Sequence, residues 1–375
     1  MNYLDIVPSY IAQIIPYEAG KPIEEVQREL NLKKVIKLAS NENPLGPSPR
    51  AVEAIKKFVR KVNYYPEENA FYLRAKLSEK LGVPGENIIT GNGETELISM
   101  IARSFLTPDN HAVISSQSFL MYKIAIRIAG ASFTAVPLKN YTYDLQAMKE
   151  AIQPNTHLIY IANPNNPTGT YVTTRELDNF FKELPPNIIV VLDEAYYEYV
   201  LRDDYPDGIE YFRKGFPIIV LRSFSKIYGL AGMRVGYAIA YSDIIQTLNK
   251  VRSPFSTSSI GQAAATAALD DAEFIQKSIA RNNEQREFVC REIKNLGFRT
   301  IPPSANFLWF ESDSDASVLY SELLHRGIII RPLRAFGFDN SLRVTIGTQR
   351  ENSIFLNVLQ KILKKTTKNI LKKKA

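Results

Sequence analysis

The feature that most constrains this chain is a rhythm in its middle: short apolar, β-branched runs recur between longer stretches with helical spacing of apolar residues. HAVIS at 111–115, HLIYIA at 157–162, NIIVVLD at 187–193 and FPIIVLR at 216–222 are the clearest, with RVGYAIA at 234–240 a further candidate. Runs that are apolar throughout belong to strands covered on both faces, and the intervening helices supply the cover. The expected fold class is α/β, with a large domain over residues 31–264 built on a mainly parallel sheet. After about residue 265 a long charged helix leads to a strand at 307–311, a helix near 316–326, the strands GIIIRP and SLRVTIGT, and a final helix. That order predicts a smaller α+β domain over 265–375. Residues 1–30 are expected to join it or to lie as an arm across a partner subunit.

Composition removes several other classes. At 45% hydrophobic and 23% charged residues over 375 positions, the chain can bury a large core and is neither fibrous nor disordered. Cys290 is the only cysteine, and His111, His157 and His325 are too dispersed for metal-ligand spacing, so no metal is expected. The opening MNYLDIVPSYIAQIIP has no basic leader and no apolar run approaches ~18 residues, which points to a cytoplasmic protein. The net charge of +7 comes from seven lysines after residue 360; without them the balance is 39 against 39. A solvated basic helix end is expected there, with neither nucleic acid nor membrane as partner.

In an open α/β sheet the ligand lies beyond the carboxyl ends of the strands, so the residues just past each strand form one set. Here they are NPNNPTG after 162, Asp193 with EAYYEY, and SFSKIYGLAGMR after 222. Taken alone, Asp193 reads first as a turn cap and Lys226 first as a surface lysine. Together, a lysine that a buried turn can desolvate and a nearby acid suggest a cofactor with an aldehyde. Upstream, GNGETELISMIARSF places two glycines before an amphipathic helix. The amides of Gly93, Glu94 and Thr95 could bind a phosphate there, although the segment reads equally as an ordinary glycine turn.

At this point the chain resembles the fold-type I pyridoxal-phosphate aminotransferases. The marks are KLASNENPLGPSP at 37–49, NYYPE at 63–67, GNGETE at 91–96, NPNNPTG at 163–169, DEAYYEY at 193–199, SFSKIYGLAGMRVGY at 223–237 and LRVTIGT at 342–348. The resemblance spans nearly the whole chain and implies a seven-stranded sheet. It implies that Lys226 carries pyridoxal 5'-phosphate and that Asp193 pairs with the cofactor's ring nitrogen. Tyr196 and Asn166 would then bond its phenolic oxygen. The phosphate would be held by the Glu94 and Thr95 amides, Ser223, Ser225 and Arg234, with Phe119 stacked on the ring. Tyr65 would reach the phosphate of a neighbouring subunit, which makes a homodimer the expected state. Arg343 would grip the substrate carboxylate, with Arg331 a second anion contact and Tyr17 and Asn43 on the substrate side.

The implied reaction is ping-pong transamination, with Lys226 both holding the cofactor and moving the proton. An imidazole amine bearing a phosphate monoester ranks first as donor, paired with 2-oxoglutarate. Aromatic amino acids rank second, and decarboxylation of a phosphorylated threonine third.

Overall fold

The computed structural model describes residues 3–312 and 315–374, with side chains through Lys365. Its main element is a seven-stranded sheet. Among the described residues the strands, in chain order, are β1 (Ile36–Lys37), β2 (Ile88–Asn92), β3 (His111–Ser115), β4 (Ser132–Val136), β5 (Thr156–Ala162), β6 (Ile189–Asp193), β7 (Ile218–Ser223), β8 (Val235–Ile239), β9 (Arg299–Thr300), β10 (Phe307–Glu311), β11 (Ile328–Ile329), β12 (Arg331–Pro332) and β13 (Ser341–Thr345). The large sheet runs β2-β8-β7-β6-β5-β3-β4, and only β8 opposes the others in direction.

The α/β class follows from burial. β3 and β7 are buried at every position, and β6 at all but its first, as expected of strands covered on both faces. Helices such as Gly93–Phe105 and Leu120–Ile128 provide that cover, each burying one apolar side. Leu97, Ile98 and Ile101 enter the same core as Ile159, Val191 and Val220.

A smaller antiparallel sheet, β12-β13-β10-β9, has its own core around Leu308, Phe310, Leu342, Val344 and Phe355. The helix Ala272–Asn295 bridges the two cores: Ile275 and Ile279 pack on the larger, Val289 and Ile293 in the smaller. The segment after residue 31 also belongs structurally with the smaller sheet's side. β1 pairs in parallel with β11, and Leu38 lies in the smaller core. The helix Ile23–Leu30 packs there through Val26, beside Ile329.

The last helix, Gln349–Lys374, takes up the backbone of the lysine-rich end. Among the described residues no helix is long and apolar enough to cross a membrane, and no group of His, Cys, Asp and Glu is placed to hold a metal ion.

Candidate active site

The topology gathers the polar residues at one sheet edge. β2, β5, β6 and β7 all finish there, leading into Gly93, Asn163, Glu194 and Phe224. Because β8 runs the other way, its amino end lies at the same edge, and Arg234 directly precedes it. The resulting cleft encloses about 820 Å³ including its open mouth. It is walled on the other side by Arg331 and Arg343 of the small sheet and by Tyr17.

Lys226 is half-buried in the cleft, and its Nζ donates to the Ser40 carbonyl at 3.3 Å. Burial, then the positive charges of Arg343 and Arg234, brings its amine down to about 8, with Glu94 and Glu42 pulling the other way. An amine in that range is neutral often enough near neutral pH to act as a nucleophile and a base.

Asp193 closes β6 and accepts the Ala195 amide at 3.1 Å and the Tyr122 hydroxyl. Burial raises its carboxyl, and these donors offset part of that effect. Tyr196, also buried, receives the Asn41 amide on its hydroxyl at 2.8 Å and meets the Phe307 ring edge-on at 5.1 Å. Phe119 stands partly buried on the wall, edge-on to Tyr17 at 6.4 Å and to Tyr122 at 5.7 Å.

The end of the cleft beside the start of the helix Gly93–Phe105 depends on two glycines. Gly93 has φ +72, and the Arg234 guanidinium lies where a side chain would begin. A Cβ on Gly236 would meet the Glu94 backbone nitrogen at 2.7 Å, so only glycine lets β8 approach the start of the helix Gly93–Phe105 this closely. That helix has no side-chain cap at Asn92, which leaves its early amides to other partners. Thr95, Ser223 and Ser225 line the same end, and the Ser225 amide donates to Ser223 Oγ at 3.1 Å.

Arg331 and Arg343 are register partners on adjacent strands, so two guanidinium groups share one face of the small sheet. Both are buried, and neither has a carboxylate within ion-pair distance among the described residues. Arg343 donates to Asn166 Oδ1 and, at 2.7 Å, to the Ala39 carbonyl; its buried Nε has no partner. Arg331 donates to the Glu18 carbonyl at 2.5 Å, with its guanidinium 5.7 Å from the Tyr17 ring centroid. Like charges opposed across a ladder are unfavourable in an otherwise buried place. Burial and the nearby Arg331 accordingly bring Arg343 down to about 10, despite the opposing influence of Tyr196 and Tyr17. An anion seated beside the pair would offset that repulsion.

Most residues expected from the sequence therefore meet in one cleft: Lys226, Asp193, Tyr196, Asn166, Glu94, Thr95, Phe119, Ser223, Ser225, Arg234, Tyr17, Arg331 and Arg343. Asn43 does not. It is buried beneath the loop, donating to the Ile227 carbonyl at 2.9 Å and to Ser278 Oγ at 3.0 Å, and thus holds the loop in place. Its neighbour Asn41 takes the place facing the cleft, in a left-handed backbone conformation at φ 57. Tyr65 is 83% exposed, stacked on Phe255 at 4.8 Å, and is not among the residues lining its own chain's cleft. Asn41, Ser40 and Tyr122 are cleft residues that sequence reasoning missed. Asn41 was legible within the same ASNENPLG string; Tyr122, one helical turn after Phe119, carried only the i,i+3 spacing that joins two aromatics on one face.

The donor set fits a phosphorylated aldehyde with a basic ring. It offers a half-buried amine of lowered basicity, an acid at the far end, a glycine-based anion cup, and an unpartnered guanidinium nitrogen for a second anion.

A fold of this kind with such a lysine belongs to a known class of amino-group transferases. The chain is a member of the aminotransferase class I and II family, whose model matches residues 33–359. More narrowly, it is 46% identical over 354 residues to the histidinol-phosphate aminotransferase of Moorella thermoacetica, covering 94% of this chain and 92% of that protein. It is 43% identical over 359 residues to histidinol-phosphate aminotransferase 2 of Carboxydothermus hydrogenoformans, covering 96% and 99%. The crystal structure of histidinol-phosphate aminotransferase from Sinorhizobium meliloti in complex with pyridoxal-5'-phosphate superposes with a TM-score of 0.86 at 27% identity, covering 94% of this chain and 98% of that one.

Proposed function

We propose that this enzyme carries pyridoxal phosphate on Lys226 and transfers an amino group between L-histidinol phosphate and 2-oxoglutarate, giving imidazole acetol phosphate and L-glutamate, a step of histidine biosynthesis. The observation that carries the substrate reading is the buried Arg331–Arg343 pair, with no carboxylate beside it and the Arg343 Nε free. Both substrates are anionic at the end such a pair would take: a phosphate monoester in one, carboxylates in the other. The names of relatives at 46% and 43% identity support the same substrate.

When bound, the cofactor supplies an electron sink for the charge left as the donor carbon loses its proton. The protein's part is to orient and to move protons. Asp193 would hold the ring nitrogen in its cationic form. Asn166, whose Oδ1 accepts from Arg343, keeps its amide N–H groups as donors that would bond the ring's oxygen, with Tyr196 as a second partner for the same atom. The Glu94 and Thr95 amides, Ser223, Ser225 and Arg234 hold the phosphate, with Gly93 leaving room for the guanidinium. Phe119 covers the ring face and Tyr17 the substrate side. Lys226 would hold the cofactor's aldehyde carbon and, as a free amine, would accept the proton of the substrate carbon on Nζ; its amine at about 8 is roughly a quarter neutral near pH 7.5.

The functional unit in this reading is a homodimer, in which Tyr65 of each chain reaches the phosphate end of the other site. The exposure of Tyr64, Tyr65, Phe71 and Tyr72 along one stretch supports a surface made to be covered.

The aromatic wall of Tyr17 and Phe119 favours a second reading, transamination of aromatic amino acids. A half-reaction screen separates them by following the cofactor absorption with L-histidinol phosphate, phenylalanine, tyrosine and threonine phosphate. The highest kcat/KM is expected with L-histidinol phosphate; a preference for phenylalanine or tyrosine would replace the first reading with the second.

A further inference from the structure

Over residues 286–295 the helix Ala272–Asn295 reads REFVCREIKN, and the i,i+4 spacing puts Arg286, Cys290 and Lys294 in one row with Arg291 beside it. Arg202, from the loop after β6, meets this row across a cavity of about 840 Å³ including its open mouth, and Pro302 and Pro303 form a further wall. The cavity shares no lining residue with the cleft. Its proline wall is fixed in place: Pro303 lies 2.7 Å from where a Cβ on Gly169 would stand, and the Ser304 amide donates to the Gly169 carbonyl at 2.7 Å.

Four cations line this cavity against one carboxylate, Glu287, which accepts the Asn283 side-chain amide at 3.3 Å. Arg291 is paired with its neighbour Glu292 at 3.3 Å. Among the described residues, Arg202, Arg286 and Lys294 have no carboxylate within ion-pair distance, whereas Arg213, Arg281, Arg299 and Arg326 elsewhere each have one. The helix C-terminus accounts for Lys294 but not for Arg286, two turns earlier. Arg286 is half-buried; its Nη2 donates to Asn283 Oδ1 at 2.6 Å, and its Nη1 is shielded from solvent with no hydrogen-bond partner. A charged donor left in that state is unfavourable. Burial holds the basicity of Arg286 below that of a free guanidinium; Glu287 works against that and the nearby Arg202 charge adds to it.

We propose that this cavity is a second anion site, separate from the cleft, that takes a phosphate group between Arg202, Arg286 and Lys294. A tetrahedral dianion offers several oxygens to donors arriving from different elements, as Arg202 and Arg286 do, whereas one guanidinium fork would satisfy a planar carboxylate. Glu287 opposes the anion and limits its affinity. Inorganic phosphate and a phosphate monoester, such as the donor proposed above, share the required chemistry. Neither the cofactor reading nor the substrate reading is needed for the site to exist.

Cys290 is the only cysteine of the chain and is half-buried in this cavity, so its alkylation reports occupancy. Burial raises the thiol while Lys294 and Arg286 lower it; a bound anion covers the sulfur and offsets both cations, so alkylation slows. The test is the rate of reaction with iodoacetamide, an uncharged reagent, followed by intact mass at an ionic strength held constant with chloride. The protein is taken with pyridoxal phosphate bound and the excess removed, since free pyridoxal phosphate is itself a phosphate monoester. Wild type is expected to react at least about threefold more slowly at saturation, with half-protection at or below about 1 mM inorganic phosphate or L-histidinol phosphate. Whichever of the two acts at the lower concentration is the source of the anion.

Arg202→Gln, at an exposed position, and Arg286→Gln should each raise the half-protecting concentration about tenfold, and Glu287→Gln should lower it about threefold. Thermal melts and the retained cofactor absorption band establish that each variant is folded, and Arg202→Gln decides the matter if Arg286→Gln does not fold. Absence of saturable protection by either anion, equal protection by glutarate, protection unchanged in a folded arginine variant, or weaker protection in Glu287→Gln would overturn the proposal.

Discussion

Replacing Arg343 with leucine tests the anion grip most directly. The guanidinium already gives one Nη to Asn166 and the other to the Ala39 carbonyl, and its Nε is buried without a partner. A carboxylate or phosphate seated there gains two charge-assisted hydrogen bonds, each about 1.5–3 kcal/mol, for about 3–6 kcal/mol in all. Leucine removes both, so kcat/KM should fall roughly 10²–10⁴-fold. Arg343→Lys keeps the charge without the planar fork and should lose about half of that energy. The assay is single-turnover kinetics of each half-reaction, L-glutamate in one and L-histidinol phosphate in the other, with thermal melting as the folding control. Each presents its anion to the same group, so both should suffer. If the leucine variant stays within fivefold of wild type for both substrates, the pair of strand-opposed arginines has no part in substrate binding.

Three further outcomes follow from the same geometry. Asp193→Ala should still take up pyridoxal phosphate, seen as a retained absorption band, while turnover falls by roughly 10²–10³-fold or more. Lys226 illustrates a pH dependence whose sign can be worked out: its amine falls from 10.5 to about 8 through burial, so the folded protein binds fewer protons than the unfolded one between those values. Stability of the cofactor-free wild type should therefore rise with pH from about 8 to 10.5, while Lys226→Met, more stable by about 3 kcal/mol near pH 7, loses that advantage over the same window; chemical denaturation at several pH values measures both. Gly93→Ala places a side chain at φ +72 and against the Arg234 guanidinium, so urea unfolding should show a loss of at least about 1 kcal/mol, and pyridoxal phosphate should bind more weakly.

The sequence was most legible where burial is uniform. β3 and β10 fall on the runs HAVIS and FLWFE at 307–311 because every residue but the last of β10 is inside, and no polar position blurs the limits. β2 and β4 were harder to see. β2 is IITGN, whose glycine and asparagine read as a turn, while β4 is an edge strand with only Val136 buried, so its apolar signal is diluted. GIIIRP was read as one strand but divides at Ile330: β11 pairs with β1, and β12 with β13. Nothing local marks that switch, because it is set by which sheet each half meets. The same limit explains Asn43. Its string was recognisable, but which asparagine faces the cleft depends on the left-handed turn at Asn41 and on Ser278, far along the chain.

The groups that would perform the chemistry and the groups that would grip the anion belong to two separate hydrogen-bonded sheets: Lys226 and Asp193 follow the strands of one, while Arg331 and Arg343 lie within the other. Substrate preference could consequently be redesigned on a few positions of β12 and β13 with the strands that carry the proton-handling groups unchanged, Arg343 excepted because it also bonds Asn166 and lowers the Lys226 amine. Conversely, a small rotation between the two slabs would spoil the alignment of grip and amine even though each half kept its own interior intact.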